Sequence, residues 1–174
     1  LGPNLAPRTE YTWSVTVTDN HGETAEGTSR FETGLLNGSV FEGKAQWITH
    51  APDKASPVSP VLYKDFVVQG NVKKARLYVT ALGMYEAEIN GEPVDDTYFH
   101  PGWTNYRKRL QYQTYAVTLH SGKNRLALTL ANGWYKGKLG FMPQPNHYGD
   151  TTAALAAVSD VVVSVVVNAA QTES

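Results

Sequence analysis

The stretch ARLYVTALGMYEAEINGEPV, from Ala75 to Val94, limits the fold more than any other part of the chain. Its second half alternates with period two, so Glu86 and Glu88 share one face of a strand and the apolar residues share the other. Asn90-Gly91 then interrupts the alternation. A two-residue turn of type I′ needs positive φ at both central positions, which Asn and Gly tolerate best, so this pair predicts a β-hairpin. The segments VLYKDFVV, RLQYQTYAVT and NRLALTLANGWY read as further strands, separated by QGN and HSGK. Near the start, YTWSVTVTD alternates with Tyr11, Trp13, Val15 and Val17 on one face, and TSRFETG follows the turn DNHG as its partner. Regular strands without a long helix predict an all-β chain, an antiparallel β-sandwich.

The expected organisation has three parts. Residues 1–34 form a hairpin, 35–42 a Gly/Asn/Ser linker, and 43–174 the sandwich, with the region after 151 unassigned. Two strands alone are marginal in water, so the face of Tyr11, Trp13, Val15 and Val17 is expected to pack on other structure. Asn37-Gly38-Ser39 matches a glycosylation sequon, and a linker turn is the preferred reading. The opening residues lack Met and enter a strand almost at once, which suggests a piece of a longer protein.

With 174 residues the chain can bury a core without staples. It has no cysteine, which excludes disulfides, thiolate metal sites and a cysteine nucleophile. Its formal net charge is -1 with both signs along the chain, so no polybasic footprint for nucleic acid or a membrane surface is expected. The run VVVSVVV is too short to span a bilayer. The compartment, cytoplasmic or extracellular, is left open.

Several ordered motifs carry a family resemblance: AQWI at 45–48, the stretch at 75–94, PGWTNYRKRLQYQTY at 101–115, GKNRLALTLANGWYKGKLG at 122–140, and NHYGD at 146–150. Together they resemble the N-terminal accessory domain of bacterial family 78 α-L-rhamnosidases. The hairpin at 1–34 resembles the end of the immunoglobulin-like domain that precedes it. The resemblance implies a jelly-roll, galactose-binding-like sandwich that in some relatives binds rhamnose with a calcium ion. It also implies that the catalytic acid and base lie on an (α/α)6 barrel outside this sequence, beside which the module would position rhamnosylated glycosides. Ala116 departs from the pattern, where TYDVT is expected.

Sugar recognition needs flat rings for the C–H face of a pyranose and planar polar groups for its hydroxyls. Trp103, Asn105, Tyr106 and Arg107 supply both in one turn, and Trp134 and Tyr135 stand between glycines in NGWYKG. These six are the expected carbohydrate-binding residues. The bland reading is that the rings fill a core and the turn serves only to connect. Asp95 and Asp96 are the carboxylates that could offer oxygens to calcium, with a solvated turn as the commoner outcome. Glu86 and Glu88 are read as the wet side of a strand, and the scattered histidines form no metal or nucleophile motif. The chain by itself is expected to be inactive as a glycosidase.

Overall fold

The computed structural model describes residues 4–36, 45–50, 59–70, 72, 74–141, 144–160 and 162–172, with only the backbone course for 160–172. The linker reading, with the Asn37 sequon, falls largely outside them. Among the described residues there are ten strands and one helical turn: β1 (Thr9–Thr18), β2 (Thr24–Glu32), β3 (Val61–Val68), β4 (Ala75–Leu82), β5 (Met84–Ile89), β6 (Glu92–Pro93), β7 (Gln113–Val117), β8 (Gly122–Ala131), α1 (Gly133–Lys136), β9 (Ala153–Asp160) and β10 (Val162–Thr172). The chain divides into two compact units, 1–39 with 161–174, and 40–160.

In the first unit β1 pairs antiparallel with β2 and parallel with β10, in the order β10-β1-β2. Tyr11 is buried and stacks on Phe31 across the hairpin, with centroids 5.3 Å apart. Trp13 and Val17, on the same face, remain exposed. The tail is therefore divided. β9 belongs to the second unit, whereas β10, in the region the sequence reading left unassigned, lies beside β1.

The second unit has two sheets, β3-β8-β5-β6 and β7-β4-β9, antiparallel throughout. Its core gathers Leu77, Val79 and Ala81 from β4, Tyr85, Ala87 and Ile89 from β5, and Leu128 and Leu130 from β8. Full burial of each leucine contributes about 1.5–3 kcal/mol. Asn90 and Gly91 both have positive φ, 56° and 86°, as the predicted turn requires.

β4 loses its alternation because it is covered on both faces. Leu77 and Val79 face the core. Tyr78 and Thr80, on the other face, are covered by the chain entering β7, where Thr80 Oγ1 donates to the Gln111 carbonyl at 2.5 Å and the Tyr78 and Tyr112 rings meet at 6.3 Å. This explains why only Gln113–Val117 of the predicted strand RLQYQTYAVT is paired. Likewise NRLALTLANGWY does not stay extended: the chain leaves the sheet after Ala131 and makes one helical turn, which carries Trp134 and Tyr135.

Candidate functional site

The site is built on a two-ring base. The Tyr85 hydroxyl from β5 lies 3.0 Å from that of Tyr115 on β7. Burial pushes the Tyr85 phenol far above its usual range, and the neighbouring Tyr115 adds to the shift. The His100 ring stacks on Tyr85 and meets Tyr115 edge-on, while the Tyr85 N–H donates to the His100 carbonyl. A cis bond joins His100 to the buried Pro101, whose carbonyl accepts from Gln113 Nε2 at 3.2 Å. The loop therefore leaves the sandwich from a fixed point.

Above this base, residues 102–109 form a compact turn. Gly102 has φ 89°, a conformation that favours glycine. The Tyr106 hydroxyl donates to the Gly102 carbonyl at 3.2 Å, and Thr104 Oγ1 donates to the Arg109 carbonyl at 2.6 Å. Asn105 Oδ1 accepts the Arg107 N–H at 3.2 Å, and the Asn105 backbone carbonyl accepts from the N–H groups of Lys108 and Arg109. Asn105 is exposed, and among the described residues its side-chain NH2 has no partner.

Residues 132–150 supply the facing loop. Tyr106 meets Tyr135 edge-on at 5.3 Å and Tyr148 at 5.0 Å. Burial raises the Tyr106 phenol above its usual range, with a further push from Tyr148. Trp103 is 53% exposed, and its Nε1–H donates to the Tyr148 hydroxyl at 3.4 Å. Arg107 donates to the His147 carbonyl at 2.8 Å and holds its guanidinium 5.7 Å from the Tyr148 ring centre. Gly149 leaves no room for a Cβ beside the Tyr135 phenol, so this loop folds tightly on itself.

Trp103, Tyr106, Arg107 and Tyr135 thus join one aromatic wall, with Asn105 at its tip. Trp134 is placed differently: among the described residues its ring partner is Phe99, edge-on at 6.1 Å. Tyr148 was missed by sequence reasoning, although it touches Trp103, Tyr106 and Arg107. NHYGD was legible as a landmark, but nothing in its spacing showed which rings it would meet.

Glu86, Glu88, Asp95, Asp96, Tyr98 and His100 line a separate groove of about 460 Å³. There Asp95 Oδ2 accepts from Thr97 Oγ1 and lies 2.9 Å from His100 Nε2. Calcium takes six to eight oxygens. Asp95 already has one oxygen engaged, and among the described residues no three His, Cys, Asp or Glu side chains converge on a metal-sized position. The carboxylates present do not by themselves fit a calcium ion.

Comparison with known proteins adds the following. Residues 70–165 match the family described as the α-L-rhamnosidase N-terminal domain, and residues 1–37 match the Rha78A-like N-terminal immunoglobulin domain. An α-L-rhamnosidase of Streptomyces avermitilis is 46% identical over 116 residues, covering 66% of this chain and 11% of the relative. One from Formosa agariphila is 36% identical over 164 residues, covering 86% of this chain and 17% of the relative. Among solved structures, the native α-L-rhamnosidase of Aspergillus terreus superposes with a TM-score of 0.68 at 35% identity, over 78% of this chain and 16% of that one. The Streptomyces avermitilis enzyme complexed with L-rhamnose superposes with a TM-score of 0.56 at 32% identity, over 81% of this chain and 16% of that one. The chain spans between 11% and 20% of the length of the curated relatives it matches.

Proposed function

Since the chain belongs to the family of α-L-rhamnosidase N-terminal domains, we propose that it is a non-catalytic accessory module that holds rhamnosyl glycosides for hydrolysis elsewhere in a full-length enzyme. Holding a substrate beside a catalytic region raises its effective concentration there. The observation that carries the reading is the exposure of the wall: Trp103 is 53% open to solvent instead of filling the sandwich core. In this reading the indole covers the apolar face of the sugar. The free Asn105 NH2 and the remaining Arg107 donors bond its hydroxyls.

One observation favours a purely structural module. Thr104, the Asn105 carbonyls and the Tyr106 hydroxyl are all engaged within the turn. Titration calorimetry with L-rhamnose, with and without calcium, separates the readings. One monosaccharide makes few hydrogen bonds, each with a net gain on the order of 1 kcal/mol, so a Kd of roughly 0.1–1 mM is expected. Because Trp103 is exposed, Trp103→Ala should abolish measurable binding while leaving the unfolding midpoint near that of the parent. Asn105→Ala should weaken binding about tenfold. Heat-silent titrations at millimolar sugar under both conditions, or unchanged binding by both variants, reject the sugar-binding reading.

A further inference from the structure

Asn90-Gly91 is a chemically weak point as well as a turn. In an asparagine followed by glycine, the glycine nitrogen can attack the asparagine side-chain carbon, because the glycine carries no Cβ to obstruct its approach. The N–Cγ bond forms, the Cγ–Nδ2 bond breaks, and Nδ2 leaves as ammonia with the proton that the glycine nitrogen gives up. Water, the one co-reactant, then opens the cyclic imide to aspartate or isoaspartate. Asn90 and Gly91 are both exposed, so water reaches the pair.

The structure holds the Asn90 side chain at both of its polar atoms. Nδ2, the leaving group, donates to Asn124 Oδ1 at 3.0 Å, and Oδ1 accepts the Arg125 N–H at 2.8 Å. The main chain is held as well, since the Asn90 N–H donates to the Arg125 carbonyl at 2.9 Å. Asn124 and Arg125 belong to β8, on one side of β5, whereas Gly91 leads into β6 on the other. The amide is therefore turned toward β8, and an attack by the Gly91 nitrogen requires it to swing back, which parts both side-chain bonds. One effect works the other way: the Arg125 N–H polarises the amide carbonyl, as a donor to a developing oxyanion does. It assists only a carbon that the nucleophile can reach, so the restraint decides. The acceptor itself is fixed, because Asn124 is buried and its Nδ2 donates to the His120 and Gly122 carbonyls. We propose that Asn90 is a latent deamidation site and that Asn124 guards it, holding the amide away from the Gly91 nitrogen. The product would undo the turn. Aspartate puts an oxygen where Nδ2 faced Asn124 Oδ1, and isoaspartate adds a carbon to the main chain inside the turn.

The test follows deamidation at Asn90 in the 174-residue chain during incubation at mildly alkaline pH without denaturant. Digestion and mass spectrometry of the peptide that holds Asn90 give the rate, and enzymatic methylation counts isoaspartate. The parent should deamidate more slowly than a free peptide with the sequence of Tyr85–Val94. Asn124→Ala should raise the rate about fivefold, the release expected when one hydrogen bond of ordinary net strength is lost. That variant is also less stable, so Gly133→Ala, which loses stability without touching the partners of Asn90, is the control and should deamidate at the parent rate. Far-ultraviolet dichroism checks that both variants are folded during the incubation, and the peptide comparison stands whether or not Asn124→Ala folds. Equal rates in parent and peptide, or in parent and Asn124→Ala, overturn the proposal. Equal acceleration in both variants assigns the protection to overall stability and overturns it too. A slower rate in Asn124→Ala reverses it, because the network would then be presenting the amide to attack instead of withholding it.

Discussion

Asn124 stands inside β8 with 1% of its surface exposed, and all of its polar capacity is used. Its Nδ2 donates to the carbonyls of His120 at 2.8 Å and Gly122 at 3.1 Å. Its Oδ1 accepts from Asn90 Nδ2 and from the His120 N–H, both at 3.0 Å. Asn90 in turn accepts the Arg125 N–H at 2.8 Å, so the amide ties the β5–β6 turn to the chain entering β8. Asn124→Ala removes four hydrogen bonds with net values of about 1 kcal/mol each. Asn90 and His120 are exposed and can turn to water, which offsets part of the loss, so a destabilisation of about 2–4 kcal/mol is expected. With a urea slope of about 2 kcal/mol/M, the midpoint should fall by about 1–2 M. The assay is urea unfolding followed by far-ultraviolet dichroism. Asn124→Asp sharpens the test, because at neutral pH it sets a carboxylate oxygen against two carbonyls in place of a donor. That raises the pKa of the new side chain, so its penalty should shrink as the pH falls and the group becomes protonated. A loss under about 1 kcal/mol for the alanine variant, or no pH dependence for the aspartate variant, refutes the reasoning.

Two further outcomes follow from geometry elsewhere. The Arg125 guanidinium clasps Asp65 with two bonds, 2.6 and 3.0 Å, and with help from Lys123 it lowers the carboxyl from the ordinary 3.8 to about 2. A lowered carboxyl pKa gives stability that is present above 3.8 and lost as the pH falls toward 2. A carbon-detected titration should place Asp65 near 2 in the parent and higher after Arg125→Ala, whereas equal values in the two proteins would exclude the clasp. Gly133 has φ 50°, and a Cβ there would stand 2.5 Å from Met84 Cγ. Gly133→Ala should therefore cost about 1–3 kcal/mol and shift the side-chain signals of Trp134 and Tyr135, and a variant as stable as the parent would show that the α1 turn is free to move.

The parts of the fold that were legible in the sequence are those governed by one local rule. β5 alternates because one of its faces is core and the other wet, and Asn90-Gly91 announces its turn through φ alone. β4 is harder to read, because its outer face is covered by residues more than thirty positions downstream. The same cover, at Gln111 and Tyr112, delays the start of the predicted strand to Gln113. Asn124 read as an ordinary polar strand position, since its burial depends on a turn 34 residues away. In the candidate site, Trp103 to Arg107 stood out by composition. Tyr148 did not, because its contacts with that turn span more than forty residues.

The turn at 102–109 secures itself with backbone carbonyls, one threonine hydroxyl, one asparagine carbonyl and one phenol. Trp103 and the side chains of Lys108 and Arg109 contribute none of those bonds. Frame and exposed surface are therefore carried by different residues of the same short segment. Mutational drift can replace the indole or the cations without disturbing the loop's shape, whereas Gly102, Thr104 and Tyr106 are held by it. Two such domains can superpose closely and still differ at positions 103, 108 and 109, so likeness of their backbones does not carry over to the side chains they expose.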